Sequence, residues 1–169
     1  MLTTERDRIG LEIEKLVRSY HNDCGALIAI LQEVQRRYRH VSQYAMQVIA
    51  DALDVHPAQV FSVVSYYRFL STTPRGRFVI QLSDCIAHDA VERAAVARQL
   101  ENDLGIRFGE TTVDGLFSLE HTGCIGMCDQ GPVVSVNGRI HTQFTADRVG
   151  ALLRDCLGGG DMVAAPGRD

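Results

Sequence analysis

Apolar side chains recur every three or four residues through the first seventy positions, which is the spacing of one face of an α-helix. Thr4, together with Asp7, and Ser42 are suited to cap helices. Pro57 suits a first helical turn because it has no N–H group to satisfy. The pattern therefore predicts four helices with apolar faces formed by Ile9, Ile13, Leu16, Val17 and Tyr20, by Leu27, Ile30, Leu31, Val34 and Tyr38, by Tyr44, Val48, Ile49 and Leu53, and by Val60, Phe61 and Val64.

The pattern changes after the turn-forming segment Thr72-Thr73-Pro74-Arg75-Gly76. Asn137-Gly138 is a strong hairpin signal, and Gly105 is suited to end a helix. The sequence predicts, in order, a strand at 77–83, a helix at 90–104, a strand at 116–120, a hairpin of strands 133–136 and 140–144, and a last helix capped by Thr145.

A strand, a helical crossover, a second strand, a hairpin and a final helix are typical of an α/β sandwich of thioredoxin type. We therefore predict an α/β protein in which an N-terminal helical bundle precedes a thioredoxin-like domain. The expected boundaries are 1–72 for the helical part, 77–157 for the second domain and 158–169 for a flexible, glycine-rich tail.

The composition and charge of the chain argue against several classes of function. The 169 residues carry a net charge of −4 with a pI of about 5.8, which argues against nucleic acid as a partner. No apolar run approaches the roughly 20 residues that span a bilayer, so we expect no membrane insertion. The polar start of the chain does not resemble a signal peptide, which favours a cytoplasmic location. Five cysteines in a reducing compartment are not expected to form disulfides.

Three of the five cysteines are placed to form one site. Cys124 and Cys128 form a C-x3-C pair in a glycine-containing loop, and Cys85 directly follows the first predicted strand. Loops gather at the carboxyl ends of strands, so Cys85 can meet the pair. Three thiolates and one further ligand would hold an iron–sulfur cluster or zinc. We interpret Cys24 and Cys156 as structural.

The sequence offers no nucleotide-binding motif and no catalytic arrangement. It lacks both G-x-G-x-x-G after a strand and G-x-x-x-x-G-K-[ST], and no Ser-His-Asp or paired-carboxylate pattern stands out. We therefore predict no catalytic residue and no turnover by the chain alone.

Long segments of the chain match a known family. They read GALIAILQEVQRRY, HPAQVFSVVSYYRFL and LGIRFGETTVDGLFSLEHTGCIGMCDQGPVVSVNG. The chain resembles the small [2Fe-2S] subunit that accompanies the flavin-binding subunit in bacterial respiratory complex I, in NAD-linked hydrogenases and in NAD-linked formate dehydrogenases. The resemblance implies a thioredoxin-like ferredoxin domain that carries electrons, beside a partner subunit that binds NAD and FMN.

The chain departs from this family at one ligand position. The family pattern is C-x4-C followed by C-x3-C, and its second cysteine falls on Ala90. Three interpretations remain open: a neighbouring residue supplies the fourth ligand, the subunit is a scaffold without a cluster, or the site holds zinc. For the first, His88 is the preferred substitute because imidazole replaces thiolate in some [2Fe-2S] centres. Asp89 is the alternative, although it would also suit a helix N-cap.

Overall fold

The computed structural model describes residues 4–85 and 90–158, and the chain divides into two compact units between Pro74 and Arg75. Within the described ranges, no helix is long and apolar enough to cross a membrane.

The N-terminal unit is helical, as the sequence predicts. Its helices are α1 (Glu5–Ser19), α2 (Leu27–Tyr38), α3 (Gln43–Leu53) and α4 (Pro57–Tyr66), with a 3-10 turn at Cys24–Ala26 before α2. Thr4 and Asp7 form a reciprocal capping box at the start of α1, and the Ser42 hydroxyl accepts from the Ala45 N–H at the start of α3. The predicted caps, and Pro57 in the first turn of α4, are confirmed.

Most of the predicted apolar positions of these helices form one core, but Phe61 of α4 was predicted wrongly, because its side chain is 52% exposed while its neighbours Val60 and Val64 are buried. Ile13, Val17, Ile30, Val34 and Ile49 are almost completely buried in it. A helix can bury such a face only against other helices with a matching stripe, which is why the four amphipathic segments assemble.

The second unit is a sheet covered by two helices. Its elements are β1 (Phe78–Ser83), α5 (Ala90–Leu104), β2 (Phe117–Thr122), β3 (Val134–Val136), β4 (Arg139–His141) and α6 (Val149–Leu157). In the part of the chain that the structure describes, the strands lie in the order β2-β1-β3-β4, with β1 and β2 parallel and the other pairs antiparallel. The apolar sides of α5 and α6 pack with Ile80 and Leu82 of β1 in a second core.

Two sequence predictions fail near the last hairpin. The second strand, predicted at 140–144, is Arg139–His141, because Gln143 has a positive φ of 47° that ends the extended conformation. The buried Phe144 instead donates its N–H to the Pro132 carbonyl at 2.9 Å. Thr145 precedes a 3-10 turn at Ala146–Arg148, but its side chain makes no capping hydrogen bond.

Close backbone contact holds β1 beside β2. The Gly76 N–H donates to the Ser118 hydroxyl at 2.7 Å, and a Cβ atom on Gly76 would lie 2.7 Å from the Phe117 carbonyl carbon. Any side chain at position 76 would therefore push the two strands apart at the point where their pairing begins.

Candidate metal centre

The parallel pairing of β1 and β2 brings Cys85 and Cys124 together. The register runs from Phe78 opposite Phe117 to Ser83 opposite Thr122. Each cysteine lies two residues beyond the end of its strand, so the two occupy equivalent positions at the same edge of the sheet. The Asp84 N–H extends the pairing by donating to the Thr122 carbonyl at 2.7 Å.

The loop after β2 turns back on its first cysteine. Gly126 has a φ of 86°, in the left-handed region that glycine adopts without strain. This conformation directs the Gly126 N–H to the Cys124 sulfur at 3.4 Å. The same loop brings Cys128 back to within 3.2 Å of Cys124, measured between sulfur atoms.

The three predicted cysteines converge. The Cys85 sulfur lies 3.8 Å from that of Cys128, and all three sulfur atoms lie within 4.8 Å of one another. Cys85 is buried, whereas Cys124 and Cys128 are exposed. The group of three thiols therefore lies at the surface, with one of them buried.

The thiols of Cys124 and Cys128 differ in acidity because their sulfur atoms lie only 3.2 Å apart. The Gly126 N–H, followed by contacts with Cys128 and Cys85, lowers the pKa of Cys124. The neighbouring sulfurs of Cys124 and Cys85 raise the pKa of Cys128 to about 11. Of these two thiols, Cys124 therefore loses its proton more readily than Cys128.

The other two cysteines lie outside this group. Cys24 belongs to the N-terminal unit, where its thiol donates to the Leu53 carbonyl at 3.5 Å. Cys156 is a buried residue of α6, and burial raises the pKa of its thiol. Among the described residues, the group of three potential metal ligands includes neither of them.

The structure describes Ala90, which occupies the position of the family's second cysteine. Ala90 is the first residue of α5 and is exposed. His88 and Asp89, the predicted substitutes, lie outside the described residues. The described residues therefore include three neighbouring thiols and an alanine methyl at the start of α5.

Sequence reasoning missed Arg93, which reaches the end of β1 from α5. Its Nη1 lies 2.9 Å from a carboxylate oxygen of Asp84 and donates to the Cys85 carbonyl oxygen at 3.0 Å. No motif marks this arginine, since its partners are eight or nine residues earlier in the chain.

His121, near the end of β2, contacts an aromatic side chain. Its ring stacks on Phe108 with ring centroids 3.9 Å apart and an angle of 14° between the planes. His121 is exposed and Phe108 is half-buried, so this stack lies at the surface.

The donor set fits an iron–sulfur cluster. Soft thiolates select iron–sulfur clusters and zinc over hard cations such as magnesium and calcium. The N–H group directed at Cys124 is the kind of contact that tunes the potential of such clusters. Cys85, Cys124 and Cys128 would hold the group, with the fourth ligand supplied from outside these three.

Comparison with known proteins agrees with this chemistry. Residues 13–157 match the family described as thioredoxin-like [2Fe-2S] ferredoxin. The chain belongs to this family. The α/β architecture with preceding helices and the predicted thioredoxin-like fold are confirmed by this match.

Individual relatives come from two kinds of NAD-linked enzyme. The chain is 34% identical over 142 residues to a subunit of the NADH-quinone oxidoreductase of Rhizobium meliloti strain 1021, covering 84% of each. It is 31% identical to the alpha subunit of the NAD-reducing hydrogenase HoxS of Cupriavidus necator, covering 81% of this chain and 23% of the relative.

A solved structure shows the same fold. The crystal structure of an NAD+-reducing [NiFe]-hydrogenase in the air-oxidised state superposes with a TM-score of 0.70 at 26% identity, covering 83% of this chain. The chain spans only about a quarter (24%) of the length of that hydrogenase chain.

Proposed function

We propose that this chain is an electron-transfer accessory subunit that carries a [2Fe-2S] cluster beside a flavin- and NAD-binding subunit of a multisubunit oxidoreductase. The observation that carries the proposal is the convergence of three thiol sulfurs within 4.8 Å, in a chain of the thioredoxin-like [2Fe-2S] ferredoxin family. When bound, the cluster supplies a one-electron carrier. The names of the relatives, which include a quinone oxidoreductase and a hydrogenase, support an NAD-linked complex.

The exposure of the site suits transfer between proteins. Cys124 and Cys128 are solvent-exposed, so a partner can approach the side of the site that they form. Cys85 is buried at the end of β1 and holds the site to the sheet. We also propose that the parts 1–72 and 77–157 are separate domains and that the protein acts in the cytoplasm.

We propose His88 as the fourth ligand. It lies three residues after Cys85 and two before Ala90, and an imidazole reaches further from its Cα than a thiol does. A neutral imidazole in place of a thiolate removes one negative charge, which makes the reduced state easier to reach and the potential pH-sensitive. Asp89 would keep the charge but offers a harder oxygen ligand.

Substitutions in an iron-loaded preparation test this ligand. His88→Ala is expected to bleach the visible absorbance, and adding Ala90→Cys is expected to restore it. If His88→Ala leaves the spectrum unchanged while Asp89→Ala abolishes it, the fourth ligand is Asp89 and not His88.

A second candidate function is a structural subunit without a cluster, favoured by the alanine at position 90. Zinc bound by the three thiols is a third. The protein purified without oxygen separates them, because a [2Fe-2S] protein is red-brown, whereas the scaffold and the zinc protein are colourless and differ in metal content.

The accessory role has its own test. We expect the isolated, flavin-free chain to show no NADH oxidation and to co-purify with a flavin-binding subunit when both are produced together. NADH–acceptor turnover by the pure chain would contradict this role.

A further inference from the structure

Arg93 connects α5 to the residue that precedes Cys85 and to Cys85 itself. One nitrogen of its guanidinium lies 2.9 Å from the Asp84 carboxylate and 3.0 Å from the Cys85 carbonyl oxygen. We propose that Arg93 is a positioning residue that fixes the Cys85 peptide, so that its thiol meets Cys128. The inference rests on the proposed role of the three cysteines as metal ligands.

The backbone around Cys85 shows why such a contact matters. Asp84 is still held by β2, through its N–H bond to the Thr122 carbonyl. Cys85 follows at the point where strand pairing stops, and its carbonyl accepts from Arg93. A small rotation of this peptide would move the thiol away from the C-x3-C loop, since the sulfur lies only two bonds from Cα.

The alanine at position 90 makes the Arg93 contact more important in this chain than a cysteine there would. The family pattern has a thiolate there, which would tie the start of α5 to the metal. Ala90 cannot form that bond. Arg93 lies three residues further along the helix, on a neighbouring part of the same face. It ties α5 to the site through the Cys85 carbonyl instead of through a metal–sulfur bond.

The hydrogen bond from Arg93 to the Cys85 carbonyl should contribute more to the position of Cys85 than the ion pair of Arg93 with Asp84 does. The Asp84 side chain is 61% exposed, so water and salt screen its attraction to Arg93. The Arg93 side chain is only 25% exposed, and a hydrogen bond from a charged donor is stronger than a neutral one. Because the Arg93 side chain is mostly buried, its charged group stays beside the end of β1, where it donates to the Cys85 carbonyl.

Chemical bridging of the thiols tests the position of Cys85 without any metal. Dibromobimane becomes fluorescent when it links two nearby thiols, and peptide mapping identifies which thiols are joined. In the reduced full chain carrying Cys124→Ala, we expect Arg93→Met to slow formation of the Cys85–Cys128 bridge several-fold. Arg98→Met is the matched control, because Arg98 lies on the same helix and donates to the Ala94 carbonyl of that helix.

Cobalt binding to the reduced, otherwise unchanged protein gives a second measure, through the thiolate-to-cobalt charge-transfer absorption. Removing a residue that orients a metal ligand typically weakens metal binding by about 10- to 100-fold, and we expect this loss for Arg93→Met. Arg98→Met should stay within about twofold of the wild type, as expected for a residue remote from the ligands. Circular dichroism checks that each variant is folded, and Arg93→Gln replaces Arg93→Met if the latter does not fold.

The outcomes separate this inference from the proposed function. Wild-type bridging rates and cobalt affinity in a folded Arg93 variant would overturn the inference. Bridging that depends on Arg93, in a protein that never carries iron, would support the positioning role while refuting the [2Fe-2S] proposal.

Discussion

The two units both bury apolar cores, but among residues 4–85 and 90–158 it is the second unit that brings three thiols together. In the N-terminal unit, polar groups cap helices and pair on the surface, as Glu33 does with Arg36 and Arg37. In the second unit, two parallel strands end side by side and place sulfur atoms from distant parts of the sequence within 4.8 Å. The helices of the N-terminal unit thus build a core, whereas the grouped thiols depend on the parallel pairing of β1 and β2.

The largest loss of stability is expected when a buried leucine of either core is shortened, and only one of these changes should also affect the thiols. Leu31 in α2 and Leu82 in β1 are both fully buried, so each Leu→Ala substitution should lower the free energy of unfolding by about 2–5 kcal/mol. Leu82 lies three residues before Cys85, whereas Leu31 lies in the other unit. Urea denaturation measures the stability of each variant, and the rate of Cys85–Cys128 bridging reports on the site.

We expect Leu82→Ala to slow bridging in the folded protein and Leu31→Ala to leave it at the wild-type rate. Equal effects of the two substitutions on bridging would show that the site depends on both cores alike.

A smaller effect is expected at Gly126, whose φ is 86°. Gly126→Ala places a side chain in the left-handed region and should cost about 1–2 kcal/mol. It should also weaken the N–H contact with the Cys124 sulfur, which raises the pKa of that thiol toward its ordinary value. The pH profile of Cys124 alkylation should therefore move to higher pH.

Gly138→Ala is the matched control for this change. Gly138 has a similar φ of 84°, but it lies in the β3–β4 turn. The control should show a comparable loss of stability and an unchanged alkylation profile. A shifted profile in both variants would attribute the effect to backbone strain.

Much of the fold follows from the sequence because its elements are locally determined. The helices of the N-terminal unit carry regular apolar stripes and recognisable caps at Thr4 and Ser42. In the second unit, Asn137 and Gly138 adopt positive φ and form the predicted turn. These features depend on near neighbours in the chain, which a sequence pattern records.

The rest depends on contacts that no local pattern contains. The last strand stops at His141 because Gln143 turns out of the extended conformation and Phe144 enters the core. The convergence of the cysteines could be predicted, since each follows a strand. The role of Arg93 could not be predicted from the sequence, because its acceptors lie near it only when α5 packs beside β1.

The two units should also respond differently to acid. In the second unit, the Nε2 atom of His141 is buried and has no hydrogen-bond partner among the described residues. Burial, followed by the charges of Arg139 and Arg148, lowers the pKa of His141, while Asp155 opposes the shift. The unfolded chain therefore binds a proton that the folded chain does not. Stability is full above the ordinary pKa of about 6.5 and decreases as the pH falls below it.

His141→Phe should reduce this loss of stability. The measurement is the urea midpoint of wild type and variant at a pH above 6.5 and a pH below it. An equal drop in both proteins would assign the acid sensitivity to other groups.

The smallest expected effect concerns Glu33 in the N-terminal unit. A hydrogen bond from Arg36, followed by one from Arg37, lowers the pKa of Glu33 to about 2 from 4.5. Its contribution to stability is therefore present above 4.5 and is lost as the pH falls toward 2. Because the pairs lie on the surface, Glu33→Gln should cost only about 0.5 kcal/mol at neutral pH.

High salt should remove most of this difference, because exposed ion pairs are screened. Glu14→Gln is a suitable comparison, since the ion pair of Glu14 with Arg18 is more exposed than the pairs of Glu33. We expect Glu14→Gln to lower the stability less than Glu33→Gln does. A larger loss from Glu14→Gln would contradict the view that both Arg36 and Arg37 stabilise the Glu33 carboxylate.

Iron and acid-labile sulfide per chain, measured on protein purified without oxygen, test most directly whether Cys85, Cys124 and Cys128 hold a [2Fe-2S] cluster. We predict about two iron and two sulfide per chain and a red-brown colour in the wild type, as such a cluster requires. Cys85→Ser should lose them, and Cys24→Ser should keep them. A colourless wild type without iron, whose three thiols all react freely with an alkylating reagent, would contradict the proposal.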